Sequence, residues 1–217
     1  MRIEVLTEGA SDEPVVRVVL ERHFKLSEQR HFTIHPHRGK GMFPGTKPEH
    51  LKHEGLLNQL ERKLAAYGKT LGESDLVVVL LDVDDDNCIE LLQELNTRLN
   101  ALSSKPKRVL FRLAIEEIES WFIADLEALK SAYPTRRITR LKAKKIAPDA
   151  IIGAAERLAE HLGIKPESIT GTLKKKWAEQ IAPYLNLDEP CSPSLRKFLE
   201  GLTAQIDAIR SELKTRK

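Results

Sequence analysis

The segment Leu76-Val77-Val78-Val79-Leu80-Leu81-Asp82-Val83-Asp84-Asp85-Asp86 limits what this chain can become more than any other, because six apolar residues run directly into four carboxylates. The run reads as an interior strand of a parallel sheet. Side chains alternate along a strand, so Asp82 and Asp84 are expected to point to one side at its tip. Mg²⁺ takes oxygen ligands, keeps several waters, and is commonly held by one or two carboxylates plus substrate phosphate, so an Asp-x-Asp at a strand end suits phosphoryl chemistry. The alternative is that these acids open the next helix, whose macrodipole favours negative charge; that reading fits Asp85 and Asp86.

A chain of 217 residues can enclose one sizeable core, either a single domain or a domain with an appendage. No apolar run exceeds those six residues, far short of the roughly 20 that a membrane helix needs. Glu4 and Glu8 stand where a signal peptide would be apolar, so a cytoplasmic protein without a membrane partner is expected. Cys88 and Cys191 are isolated from each other and from any His at zinc spacing, which points to free thiols. The net charge of +3 hides an asymmetry. Residues 1–129 carry 17 Lys and Arg against 22 Asp and Glu, whereas residues 130–217 carry 18 against 10. An acidic half beside a basic one suits a polyanionic substrate, although a solubilised helical surface has the same composition.

The pattern alternates strand and helix four times. Strands are expected at Arg2–Thr7, His31–His37, Leu76–Leu81 and Arg108–Ile115. Helices are expected at Val15–Phe24, at Glu49–Ala66 ending before Gly68, at Asn87–Leu102, and from near Glu116. Such alternation implies a four-stranded parallel sheet with right-handed crossovers and helices on both faces. Ligands of these sheets bind outside the carboxyl ends of the strands. The residues at those ends are Glu8, then His37 with Arg38 and Lys40, then Asp82 with Asp84, then Glu116 with Glu119. Beyond Asp125 only helical patterns follow, so residues 1–130 read as the α/β domain and 131–217 as a basic helical C-terminal region.

Glu8, where the first strand gives way to a helix, can ligate a metal or shuttle a proton; Asp12 and Glu13 fit the first helical turn and its dipole. Glu116 and Glu119, three apart, would share a helix face and complete a second metal position, with Glu117 facing away and Trp121 in the core. Gly39-Lys40-Gly41 suggests a phosphate loop, but no Ser or Thr follows the lysine at the required spacing. A flexible loop whose Lys40 or Arg38 touches a phosphate is what remains. His37 is the one histidine placed at a strand end where chemistry is expected. The stretch 136–145, with Arg136, Arg137, Arg140, Lys144 and Lys145, holds six cations and no acid, enough to grip a phosphate backbone without reading sequence.

The set Glu8-Gly9-x-Ser11-Asp12-Glu13, Asp82-x-Asp84-Asp85 and Glu116-x-x-Glu119-x-Trp121 resembles the TOPRIM-like proteins grouped as the unknown-function family numbered 4276. The resemblance continues weakly through Lys176-Trp177 to Pro193-Ser194-Leu195. It implies a compact four-stranded parallel sheet with flanking helices, in which a Glu after the first strand and an Asp-x-Asp after the third surround Mg²⁺. Glu8, Asp82 and Asp84 match those places. It also implies work beside a separate ATPase subunit in defence against phage or mobile elements. TOPRIM domains occur in topoisomerases, primases and overcoming-lysogenization-defect nucleases. No nucleophilic Tyr is identifiable here, so the expectation is hydrolysis.

The expected activity is therefore a nuclease dependent on Mg²⁺ or Mn²⁺ that acts on DNA or RNA. Glu8, Asp82 and Asp84 would be catalytic, Glu116 and Glu119 would add metal ligands, and Lys40 with the basic segment would bind nucleic acid. The competing expectations are a non-catalytic interaction subunit and a metal-dependent small-molecule phosphohydrolase.

Overall fold

A computed structural model of the chain describes residues 1–45, 53–84, 86–136, 138 and 148–215. Strands β1 (Ile3–Thr7), β2 (Phe32–Pro36), β3 (Leu76–Asp82) and β4 (Val109–Ala114) form one sheet in the order β2-β1-β3-β4. All three pairings are parallel, as the alternation of elements requires. Every residue of β1 and β3 is buried, whereas the edge strands β2 and β4 alternate with more accessible positions. The apolar runs therefore occupy the two places covered on both faces. The fold is Rossmann-like.

Helices lie on both sides. α1 (Glu13–Val18) passes into a π-helical turn at Val19–His23, and α2 (Leu56–Thr70) and α3 (Cys88–Ala101) follow. α4 (Glu119–Ala124), α5 (Leu126–Ala132), α6 (Ala154–His161), α7 (Gly171–Ile181) and α8 (Pro193–Thr215) complete the described elements of the chain, with short 3₁₀ turns between some of them. The strand alternation divides the core in two. Val77, Val79 and Leu81 face Leu60 and Leu64 of α2 and Leu95 of α3, while Val78 and Leu80 share a cluster with Val16 of α1, Trp121 of α4, Trp177 of α7 and Phe198 of α8. The helices of the basic C-terminal region thus contribute to the same apolar cluster as the sheet. Trp121 is fully buried, as expected, and its indole N–H donates to Ser194 Oγ at 2.8 Å, tying α4 to the start of α8. Arg112 Nε donates to the carbonyl of Lys197 at 2.9 Å, holding α8 along the edge strand β4.

The strand positions agree with the sequence pattern to within a residue or so, and Asn87 caps α3 through the N–H groups of Ile89 and Glu90. The second helix differs. Its expected start at Glu49 lies outside the described residues, and Gly68 does not end it, because α2 continues to Thr70. A Cβ at Gly68 would stand 2.4 Å from Lys105 N and 2.6 Å from Lys105 Cα, so this glycine admits the α3–β4 loop against the helix. Helix propensity alone favours alanine there by about 1 kcal/mol. A contact with backbone at that distance cannot relax by a side-chain turn, and overpacking of this kind costs about 3 kcal/mol. Gly68→Ala should therefore lower the urea midpoint rather than raise it. An unchanged or higher midpoint would show that the loop moves away freely.

No described helix is long and apolar enough to cross a membrane.

Candidate functional site

The parallel register ends β1 and β3 at the same edge of the sheet, where Thr7 pairs with Leu80 and Asp82 with Ala114. Glu8 is the first residue beyond β1, and its Oε2 accepts the backbone N–H of Asp82 at 3.3 Å. Asp82 is the last residue of β3, with 9% of its surface exposed, on the same face as Val78 and Leu80. Asp12, 4% exposed at the head of α1, turns its carboxylate back to accept Gly9 N–H at 2.8 Å and the Ser11 hydroxyl at 3.0 Å. Glu119 opens α4 and is 2% exposed. Four carboxyl groups from three parts of the sequence, three of them buried, thus lie within electrostatic reach of one another at this edge.

Their protonation follows from that. Burial, then the charges of Asp84 and Asp12, raise the Glu8 carboxyl to about 7. Burial likewise raises Asp12 to about 6 and Glu119 to about 7. Asp82 lies well above the usual carboxylate range, through burial first and then repulsion from Asp12, Glu8 and Glu119. The nearby positive charges are Lys40, which acts on Glu8, and Lys174, from α7, whose Nζ lies 2.7 Å from Glu117 Oε1 and 3.3 Å from Glu119 Oε2. The pKa of Lys174 is raised by those carboxylates despite its burial.

Asp84 departs from the strand alternation that would align it with Asp82. β3 ends at Asp82, and Asp84 takes a left-handed φ of +49°, with its side chain at the exposed rim. There Lys40 Nζ reaches Asp84 Oδ2 at 3.1 Å, Asp86 Oδ2 at 2.6 Å and the Val83 carbonyl at 2.8 Å. Asp84 remains electrostatically joined to Glu8, and Asp85 lies outside the described residues.

The Gly39-Lys40-Gly41 loop explains how Lys40 arrives. The carbonyls of Gly39 and Lys40 accept Leu56 N–H at 2.9 Å and Leu57 N–H at 2.8 Å, which are the first free donors of α2. Gly41, at φ +70°, crosses Gly55 so closely that a Cβ on it would lie 2.8 Å from Gly55 Cα. The loop therefore occupies the helix N–H groups that a phosphate loop would offer to its ligand, and presents Lys40 to the end of β3 instead.

Glu116 and Glu119 do not share a helix face. α4 begins only at Glu119, and Glu116 sits in a turn with φ +64°. Its Oε2 accepts Gly153 N–H at 3.1 Å, and Glu117 Oε2 accepts Ala155 N–H at 3.0 Å, so both meet the otherwise unpaired donors at the start of α6. Glu117, expected to face away, is instead the nearest partner of Lys174. Asp12 belongs to the buried group rather than only to a helix dipole. Asp12 and Lys174 are the members that sequence reasoning missed. For Asp12 the available signal was its position one turn after Glu8; for Lys174 there was none.

His37 donates from Nδ1 to the Thr7 carbonyl at 2.8 Å, and its buried Nε2 meets no partner among the described residues. Burial lowers its pKa. Arg136 bonds the Leu162 carbonyl. Arg137, Arg140, Lys144 and Lys145 lie outside the described residues. Among the described residues, no three His, Cys, Asp or Glu side chains are already arranged as a metal cage. The donor set at the edge is nevertheless all oxygen, the ligand type that a hard divalent cation takes, although Lys40 and Lys174 already stand beside it as cations.

The model of the family described as a domain of unknown function (DUF4276) matches residues 7–203. No curated protein matches the chain. No solved structure matches it either.

Proposed function

The chain belongs to the DUF4276 family, and from this premise we propose that it is a TOPRIM-type nuclease dependent on Mg²⁺ or Mn²⁺, hydrolysing phosphodiester bonds of DNA or RNA in the cytoplasm. One observation carries the reading. Glu8, Asp12, Asp82 and Glu119 are gathered at the carboxyl edge of a parallel sheet, the usual ligand edge, and burial holds their protons toward neutral pH despite the nearby ammonium groups of Lys40 and Lys174.

Glu8, Asp12 and Asp82 would hold the ion. A bound ion would polarise a phosphoryl oxygen and acidify a water. Glu8, titrating at about 7, is suited to carry a proton to or from an oxygen at the scissile phosphate. Lys40 stands at the rim beside Asp84 and Asp86, within reach of a phosphate that enters there. The segment from Arg136 to Lys145 would add backbone affinity without sequence preference. The chain has no nucleotide-binding loop of its own, so the ATPase implied by the TOPRIM resemblance would be a separate subunit, and defence against phage or mobile elements is the process proposed for the pair.

The test is incubation of purified protein with DNA and with RNA in Mg²⁺ or Mn²⁺, beside EDTA controls. Cleavage confined to the metal arms is expected, together with a metal-linked rise in melting temperature. Saturation at 100 times Kd would stabilise the fold by about 2.7 kcal/mol. A second reading, a non-catalytic subunit that engages an ATPase, is favoured by one observation: Lys40 and Lys174 already serve as internal counter-ions to the acids. It predicts no metal-linked rise and no cleavage, and that pair of results would replace the nuclease reading.

A further inference from the structure

We infer that the cleft between α3 and α8, at the outer edge of β4, is a binding site for a small monocarboxylate with an apolar body, independent of the acidic edge. The cleft has a volume of about 370 Å³, within the roughly 300–1,000 Å³ of small-molecule sites. β4 is an edge strand, and no described strand pairs with its outer side. Leu92 of α3, Phe111 and Leu113 of β4, Ile115 just beyond it and Ala204 of α8 give the cleft its apolar wall.

The charge set into that wall is the half-buried Arg112. Its guanidinium lies across Gly201 of α8, where a Cβ would stand 2.5 Å from Arg112 Cζ. Nε donates to the Lys197 carbonyl at 2.9 Å, and Nη1 donates to the Phe111 carbonyl at 2.9 Å. Those two bonds fix the plane of the group and leave Nη2 without a partner among the described residues. Neutral carbonyls orient the ion without balancing its charge. No carboxylate among the described residues lies within ion-pair distance of Arg112; burial lowers its pKa, with Glu200 acting the other way from further off. The second acid of the lining, Asp149, spends its oxygens on the Ser192 hydroxyl and on the amide and hydroxyl of Ser194. A partly desolvated guanidinium beside an apolar wall is a charge-assisted donor, and a ligand carboxylate is the group that completes it. A neutral apolar ligand would bury the guanidinium further with no compensation. A phosphate ester would bring a second negative charge toward Glu200.

The experiment is calorimetry on the full chain with octanoate and with 4-phenylbutyrate, beside the neutral octanamide. One carboxylate per chain is expected, with octanoate bound about 30-fold more tightly than octanamide, the worth of a hydrogen bond to a charged group. Cys88 lines the cleft and reports the location: in a Cys191→Ser background, octanoate should slow its reaction with an aromatic disulfide reagent. Ala204→Trp, at an exposed position of α8, should fill the cleft and abolish binding. Arg112→Gln should reduce octanoate to the affinity of octanamide. Should Arg112→Gln fail to fold, the ratio of octanoate to octanamide in the wild type and the effect of Ala204→Trp decide. No binding of either carboxylate, equal affinity for octanoate and octanamide, unchanged affinity in Ala204→Trp, or an unprotected Cys88 would overturn the inference and leave the metal reading untouched.

Discussion

Asp82→Asn is expected to move activity and metal-free stability in opposite directions. In the wild type Asp82 is buried at the end of β3, near Asp12, Glu8 and Glu119, and its carboxyl is raised well above its ordinary range by burial and by those neighbours. Without metal near pH 8 the protein must keep that group protonated or pay for an unsolvated charge. Asparagine has nearly the same shape and no charge. The metal-free variant should therefore be more stable by about 2 kcal/mol at pH 8, which for a chain of this size raises the melting temperature by about 5 °C. With metal the order reverses. A ligand that stabilises developing phosphoryl charge contributes several kcal/mol, so its loss should lower metal-dependent cleavage by about 10³-fold and remove the Mg²⁺-linked rise in melting temperature. Melting curves in EDTA and in Mg²⁺, beside a cleavage assay on the same preparations, check all three effects. A variant that still cleaves and still responds to Mg²⁺ would remove Asp82 from the site.

The parts of this site that could be read from sequence are those whose position is set by local periodicity. The apolar run Leu76–Leu81 specifies an interior strand by itself, and Asp82 is carried to its end whatever the rest of the chain does. Glu8 follows in the same way from the short first strand. Asp12 was visible but ambiguous. At the head of a helix an aspartate satisfies a local electrostatic preference, and only the adjacency of β1 and β3 shows that its neighbours are also acids. Glu116 and Glu119 misled because residues 115–118 form a turn in which a glutamate adopts a positive φ, a conformation that carries no residue-type signature unless glycine or asparagine occupies it. Gly68 misled in the opposite sense. It resembles a helix stop, yet its role is set by Lys105, beyond the whole of β3 and α3. Lys174 lies furthest from any local rule, since its place depends on α7 docking against α1 and the turn before α4.

The metal-free protein should become more stable as the pH falls from about 8 to about 5, against the common behaviour of proteins whose carboxylates are salt-bridged. Glu8 and Glu119 titrate at about 7 in the fold and near 4.5 when unfolded, and Asp12 titrates at about 6 against 3.8. A group whose folded pKa is raised binds its proton more tightly in the native state. Its stabilisation is complete below the unfolded value and is lost as the pH rises through the folded one. Burial lowers His37 and His161, which act in the other direction below about 6.5, and Glu13, lowered by Arg17 and Lys175, opposes only below its unfolded value of 4.5. Comparison with Glu119→Gln separates these contributions, because the variant keeps the histidines and Glu13 and removes one raised carboxyl. At pH 5 wild type and variant should melt together, and at pH 8 in EDTA the variant should be the more stable by about 3 kcal/mol, one pKa unit being worth about 1.4. Saturating Mg²⁺ should flatten the wild-type curve, since a cation replaces the protons that the acids otherwise retain. If the EDTA curve of the wild type instead falls steadily from pH 8 to pH 5, or if Glu119→Gln shifts it equally at both ends, the four carboxyl groups do not share a water-poor site.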